Sequence, residues 1–519
     1  MKIHHSILFV VGIATVLGTA CGRDVNEICS YPNACTDDGG SSSGSDAQPD
    51  APPAGCASGK DPKDDALCVT NDTGVFVDGA AAEGGDGTKE RPLKTLAKAV
   101  EKAQAGKGVV FVCGQGPYLE AVNATGRVSL FGGFTCGTWT HAGGKSEVAP
   151  AVGPALVAGK GATFLAQDLK WTAEAAQGDG ASSIAVFAKE AALVELVRND
   201  VVAGAGATGK GGDGGSEGKA GTMGNVPAGM TRGTGGVTDC GGGVTSTGGN
   251  GGDGNTIMAQ GGALGSSVPG NYDEAIAAFS GAGGKGFGDP MPGDPAQPGR
   301  NGKNGAAGAA AGAAATSYGT LASTGFTSSA GTAGAAGNVG QGGGGGGGGA
   351  SQGGGGGGGG GCGGTGGKGG EGGGASIAIA SLSSTVRLKA SKLSTAAPGS
   401  GGIGGIGGTG GAGGVLGNGN AGSGSGGDGG NGAGGNGGGG GTGGVSVGVL
   451  YTGSPPTIEG ASVPNAPNAE YHVGPTVADN GGEGGGAGPM GTRPGHPGNT
   501  GKPGDKGKSG VRAAVLKAD

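Results

Sequence analysis

Paired carboxylates are common equipment for acid–base chemistry, and this chain has two adjacent aspartate pairs, Asp37–Asp38 and Asp64–Asp65. Catalysis needs them held in a fixed relationship to a substrate. Both lie in a polar stretch with nothing to position them. Arg387-Leu388-Lys389 alternates two cations, as on a solvated strand face, with no aspartate near in sequence. Of the five histidines, His4 and His5 fall in the leader, and His141, His472 and His496 are too far apart for a local metal motif. No serine or cysteine has a histidine in a recognisable nucleophile arrangement. The nine cysteines include no Cys-x-x-Cys pair, which argues against zinc. Gly-x-Gly-x-x-Gly matches carry no weight as nucleotide fingerprints in a chain with 143 glycines among 519 residues. The 32 basic and 39 acidic residues are scattered, for a net charge of −7, which excludes nucleic acid as a partner.

One aspartate has a more specific setting. The stretch GGNGGDGNT (248–256) resembles the opening of the calcium-binding nonapeptide repeat, Gly-Gly-x-Gly-x-Asp, which implies Asp253 as a calcium ligand. It departs from that repeat at Asn255, where a large apolar residue belongs. GSGSGGD (422–428) is only a partial second copy. No other cofactor is implied.

The amino terminus, MKIHHSILFVVGIATVLGTAC, reads as an export signal over 1–20. Its apolar run is shorter than the ~20 residues of a spanning helix. LGTAC resembles a bacterial lipobox. That resemblance implies lipidation of Cys21, a membrane partner through the lipid and, with Gly22 after the cysteine, an outer-membrane or cell-surface location. Gly18 stands where that family prefers leucine. Removing Cys21 from the count leaves eight cysteines in an oxidising compartment. Proximity suggests Cys29–Cys35, Cys56–Cys68 and Cys113–Cys136, which leaves Cys240 and Cys362. Eight cysteines allow about 105 pairings, so the connectivity stays open.

What would position any site lies further on. Residues 21–69 form the lipid attachment and a Pro/Ser-rich stalk with nothing to bury. From 70 to 205 the texture changes: GVFV alternates as a strand, 92–106 reads as an amphipathic helix opened by Pro92 and stopped by Gly106, and VVFVC and VSLFGGF follow as strands. Asp86-Gly87-Thr88, that helix, Gly116-x-Tyr118-x-Glu120 and Gly132-Gly133-Phe134 resemble the start of bacterial pectin-lyase-like proteins. The fold this implies is all-β, a right-handed parallel β-helix with an N-terminal capping helix. Internal repetition extends it. SIAVFAKEAALVELVRNDVVAGAG (183–206) aligns with SIAIASLSSTVRLKASKLSTAAPG (376–399), so that Val194, Leu196 and Val201 match Val386, Leu388 and Leu393 after a one-residue slip. VSVGVLYTGSPPTIEGASV (445–463) is a weaker third copy. Further coils are therefore expected at 375–396 and 444–480. Glycine-rich insertions fill 206–374 and 397–443, and a Gly/Pro-rich region fills 481–519.

Ordering a residue costs ~1–2 kcal/mol, so residues 341–362 would cost about 20–40 kcal/mol to fix with almost no side chains to bury. The expectation is long flexible excursions from the coils. A bundle of extended strands with bare backbones in contact is the ordered alternative. Gly at every third place in GNTGKPGDKGKSGVR (498–512) resembles collagen, and the tracts resemble those of PE-PGRS proteins in composition. The pectate lyases and related hydrolases use clustered aspartates, often with calcium, and Arg or Lys; the linear sequence shows no such cluster. The expected function is thus a non-catalytic surface or envelope protein in adhesion or matrix, with polysaccharide or envelope components as partners. The alternatives are a polysaccharide lyase or hydrolase on the same scaffold, or ice or mineral binding by glycine-rich faces.

Overall fold

The computed structural model describes residues 60–518, apart from 115, 272–279, 459–460, 463–470, 473–479 and 494–495. The leader and Cys21, Cys29, Cys35 and Cys56 lie outside the described residues. The chain is mostly β, with strands in three largely parallel sheets. No helix among the described residues is long and apolar enough to cross a membrane.

From Arg127–Phe134 to Asp200–Val202 the chain visits the first, second and third sheets in turn, and the later apolar stretches continue that cycle. The first sheet runs Val75–Val77, Val109–Cys113, Arg127–Phe134, Thr163–Gln167, Leu193–Val197, Val386–Lys389 and Thr457–Ile458, closed by the antiparallel Ala461–Ser462. The second stacks Ser146–Val148, Leu169–Thr172, Asp200–Val202, Lys392–Ser394 and Tyr471–His472. The third stacks Val122–Ala124, Leu156–Ala158, Ser183–Lys189, Ser376–Leu382, Ser446–Thr452 and Arg512–Lys517. Register is fixed by rows of buried side chains, because a one-residue slip would turn each row outward. One such row is Val110, Leu130, Ala166, Leu196 and Leu388; another is Leu156, Val186, Ile379 and Val449. The repeat alignment is the observed pairing: Val194 faces Val386, Leu196 faces Leu388 and Val201 faces Leu393.

The helix is Leu96–Gln104, shorter than the 92–106 pattern, because Leu93 bridges to Val77 as a strand residue. The Glu120 carboxylate accepts the N–H groups of Leu96 and Ala97 and so caps its first turn. The family-like motifs are structural. Tyr118 is buried and its hydroxyl donates to the Cys113 carbonyl at 2.9 Å. Gly133 has φ +80° and packs against Gly144 and His141. Asp86 accepts the N–H and hydroxyl of Thr88.

Three boundaries differ from the sequence reading. Residues 60–69, expected in the stalk, belong to the body: Cys68 and Val69 are buried, and Asp61 pairs with Arg198 at 3.0 Å. Residues 206–374 hold an antiparallel sheet (Val237–Gly241, Val244–Thr247, Ser266–Val268) and a hairpin (Gly319–Ala322, Gly325–Ser328). Leu321 and Phe326 of that hairpin cover the outer face of the third sheet at Ile184, Ile377 and Val447, which is why those strands are apolar on both faces. Arg512–Lys517, inside the expected Gly/Pro-rich tail, is the last strand of the third sheet.

Candidate functional site

Asp253, the candidate calcium ligand, is an ion-pair partner. Its carboxylate accepts the Arg232 N–H at 2.9 Å and faces the Arg232 guanidinium at 3.7 Å. Calcium takes six to eight oxygens, whereas the side-chain partner of this half-exposed carboxylate is the Arg232 cation. Among the described residues, the grouping of Asp78, Cys113 and Cys136 is close enough to share a metal, but its two sulfurs are joined to each other. The expected Cys113–Cys136 bond is thus present, as is Cys240–Cys362. Cys68 is also disulfide-bonded, with its partner outside the described residues. Arg387 is exposed, and Lys389 pairs with Glu195 at 2.9 Å, as a solvated face requires.

One polar cluster escapes a linear reading. The Arg198 guanidinium grips Asp168 through two bonds of 2.8 and 2.7 Å, and its Nη2 also donates to Asp61 and Gln167, each at 3.0 Å. His141 Nε2 lies 3.4 Å from Asp168 without an aligned bond. Asp168 (φ 55°) and Arg198 (φ 56°) occupy the same corner of successive turns, between the first and second sheets. The hydrogen bond to Asp168 raises the Arg198 pKa further, so the guanidinium stays charged. Both carboxylate oxygens of Asp168 are held, which leaves no lone base. The cluster is a clasp that ties the Asp61 segment to the body.

The glycine tracts are not flexible coil. They leave the body at one corner, after the second sheet, and return to start strands of the third at Ser376, Ser446 and Arg512. Within them, Gly209, Gly212, Gly215 and Gly218 donate to Ser400, Ile403, Ile406 and Thr409, each at 2.8 Å. A bond every third residue is the period of polyproline II, which forms no bonds within a strand and so leaves all of them for neighbours. The segment 342–349 shows the full pattern. Gly345 donates to Ala263, Gly346 to Gly355 and Gly347 to Gln297, while their carbonyls accept from Gly284, Gly252 and Gly424. One strand thus has six neighbours. Each such bond is worth a net ~0.5–1.5 kcal/mol, and an unmade one would cost more, which is how the ordering entropy is offset without side chains.

Glycine count per triplet records how many faces of a strand are covered. At the edge, 212–226 reads Gly-x-x: its single glycine row faces the carbonyls of Lys368, Thr365, Cys362, Gly359 and Gly356, while the same glycines donate to 403–415. One layer in, 401–415 reads Gly-Gly-x, and Ile403 and Ile406 remain 59% and 60% exposed. At the centre, 342–349 is all glycine: a Cβ on Gly345, Gly346 or Gly347 would fall inside 3.0 Å of the carbonyls of Asn250, Gly424 and Lys285. The collagen-like 498–510 is an edge strand of the same bundle; Gly437 and Gly440 donate to Lys502 and Asp505. Interspersed asparagines stand in for backbone. Buried Asn436 donates to the Gly308 and Ala310 carbonyls and accepts the Lys502 N–H at 2.8 Å.

No family model, curated protein or solved structure matches this chain.

Proposed function

We propose that the chain is a non-catalytic envelope protein, exported, anchored by a lipid on Cys21, and acting in adhesion or matrix. In this reading the three stacked sheets are a right-handed parallel β-helix, a pectin-lyase-like base from which the glycine bundle projects. The parallel in-register pairing supports the base, and the signal-like leader supports export. The observation that carries the function is the bundle itself. Its interior backbone groups are spent on one another, and it has almost no side chains with which to do chemistry. What it offers is a rigid body: residues 353–374 span about 65 Å at ~3.1 Å per residue. Such a body suits presentation of a surface, held away from a membrane by the 21–59 segment, to polysaccharide or other envelope components.

The test is incubation of the mature chain with acidic and neutral polysaccharides, with calcium or chelator, scoring retention and cleavage in the same tubes. Retention without cleavage is expected; cleavage of any polymer would restore the lyase or hydrolase reading. Cys21→Ser should release the protein from the membrane fraction, and continued membrane association would remove the anchor from this account.

A further inference from the structure

Most glycines of the bundle are required by a neighbour's backbone, but Gly211, Gly214 and Gly486 are not. All three are exposed, a Cβ at each would meet nothing closer than 3.5, 3.6 and 3.9 Å, and none has the positive φ that favours glycine. All three lie next to Ile403 or Ile406. Gly211 lies beside the Ile403 carbonyl, Gly214 beside the Ile406 carbonyl, and Gly486 beside Cγ1 and Cγ2 of Ile406. Ile406 therefore approaches Gly486, while no side chain comes within 4 Å of a Cβ at Gly211 or Gly214. The result is an apolar ridge with an open trough next to it.

We propose that a second copy of this chain packs on this face, its Ile403 and Ile406 seated in the trough over Gly211 and Gly214, and the reverse. The two rows are in register, because Gly212, Gly215, Gly218 and Gly221 donate to Ile403, Ile406, Thr409 and Ala412. In a parallel two-fold pair each ridge residue faces its counterpart in the partner's trough. Ile403 and Ile406 meet Gly211 and Gly214, Thr409 meets Glu217, Ala412 meets Ala220, and Val415 meets Met223. Bulk meets space, a hydroxyl meets a carboxylate, and apolar meets apolar. Val415 and Met223 are exposed, as this pairing requires. Two of the flanking charges are already paired within one copy, Lys368 with Asp213 at 2.9 Å and Lys506 with Glu483 at 2.8 Å.

The area sets the strength. From 403 to 415 the row is about 37 Å long, and three strands are about 14 Å wide. The pair would bury on the order of 1,000 Å², the lower bound of specific interfaces. Association should be weak and reversible, as expected of an interface at the low end of the size range. If the membrane-anchored reading above holds, a parallel pair suits two copies on one membrane, where tethering raises the effective concentration. The face-to-face contact does not depend on that reading.

Sedimentation velocity of the mature chain in solution, across concentrations from about 1 to 500 μM, should show a monomer–dimer equilibrium. Ile403→Asp/Ile406→Asp should leave only monomer. Gly211→Ala/Gly214→Ala should weaken association at least tenfold while leaving the unfolding temperature unchanged, because each Cβ has room in the monomer. A monomer throughout the range, or a dimer indifferent to both variants, would overturn the proposal.

Discussion

Cys362 is the first residue on its face of the strand to carry a side chain, and that side chain is bonded to Cys240. Gly353, Gly356 and Gly359 precede it on the same face. A Cβ on these would enter the Thr231 carbonyl, the Thr234 carbonyl and the Thr238 hydroxyl. The strand Val237–Gly241 ends in a turn of three glycines with positive φ, Gly241 to Gly243. Past it, Thr365 and Lys368 stand exposed on that face. The all-glycine run 353–361 is therefore as long as its cover. The disulfide closes a separation of 122 residues, so Cys240→Ser/Cys362→Ser should cost about 2–5 kcal/mol, read from thermal unfolding. Unchanged stability and unchanged protease resistance would mean that the hairpin is held by its backbone bonds alone.

Glycine position, rather than glycine content, should decide tolerance. Gly346→Ala drives a methyl into the Gly424 and Ser425 carbonyls, and backbone cannot yield as the far end of a side chain would. The loss should reach about 1–3 kcal/mol or more. Ile406→Ala removes a largely exposed side chain from the same bundle and should change stability by less than about 0.5 kcal/mol. Parallel melts of the two variants check the contrast. Equal effects would contradict the covered-face account.

The sequence carried the register of the coils well, because Val194, Leu196 and Val201 repeat as Val386, Leu388 and Leu393 with buried side chains that one slip would expose. The bundle was harder to see. Strand and helix periods rest on apolar side chains, whereas 342–349 has none, and its order comes from six neighbours brought in from residues as distant as 252 and 424. The triplet pattern is legible in 498–512, but in the linear sequence it resembles collagen, because the partners that give it another meaning lie far away in the chain. Asp61, His141, Asp168 and Arg198 left no linear signal at all: the coil, not the chain, makes them adjacent.

If that cluster is a clasp, breaking it should cost stability and spare binding. Arg198→Met leaves Asp168 and Asp61 without their cation while both side chains are mostly buried, at 11% and 17% exposure. Stranding a buried carboxylate costs about 3–5 kcal/mol, and the partial exposure here places the loss at the lower end. Asp168→Asn/Arg198→Met should recover part of it in urea melts. A double variant that melts as low as the single one would show that the guanidinium, rather than the pairing, matters.

Glu147 gives the pH test. Burial alone would raise its pKa, but bonds from the Lys170 ammonium at 3.0 Å and the Thr172 hydroxyl at 2.8 Å, with the charge of Lys170, leave it below the ordinary value. The folded form therefore binds this proton less readily than the unfolded one. The stabilisation is present in full above the ordinary glutamate value of about 4.3 and is lost as pH falls through the lower folded value. It is modest, because the pair is partly open to solvent. Glu147→Gln should melt below the wild type at neutral pH, and the gap should close as pH drops below about 4. A gap that stays constant with pH would mean that Glu147 contributes through packing rather than through its charge.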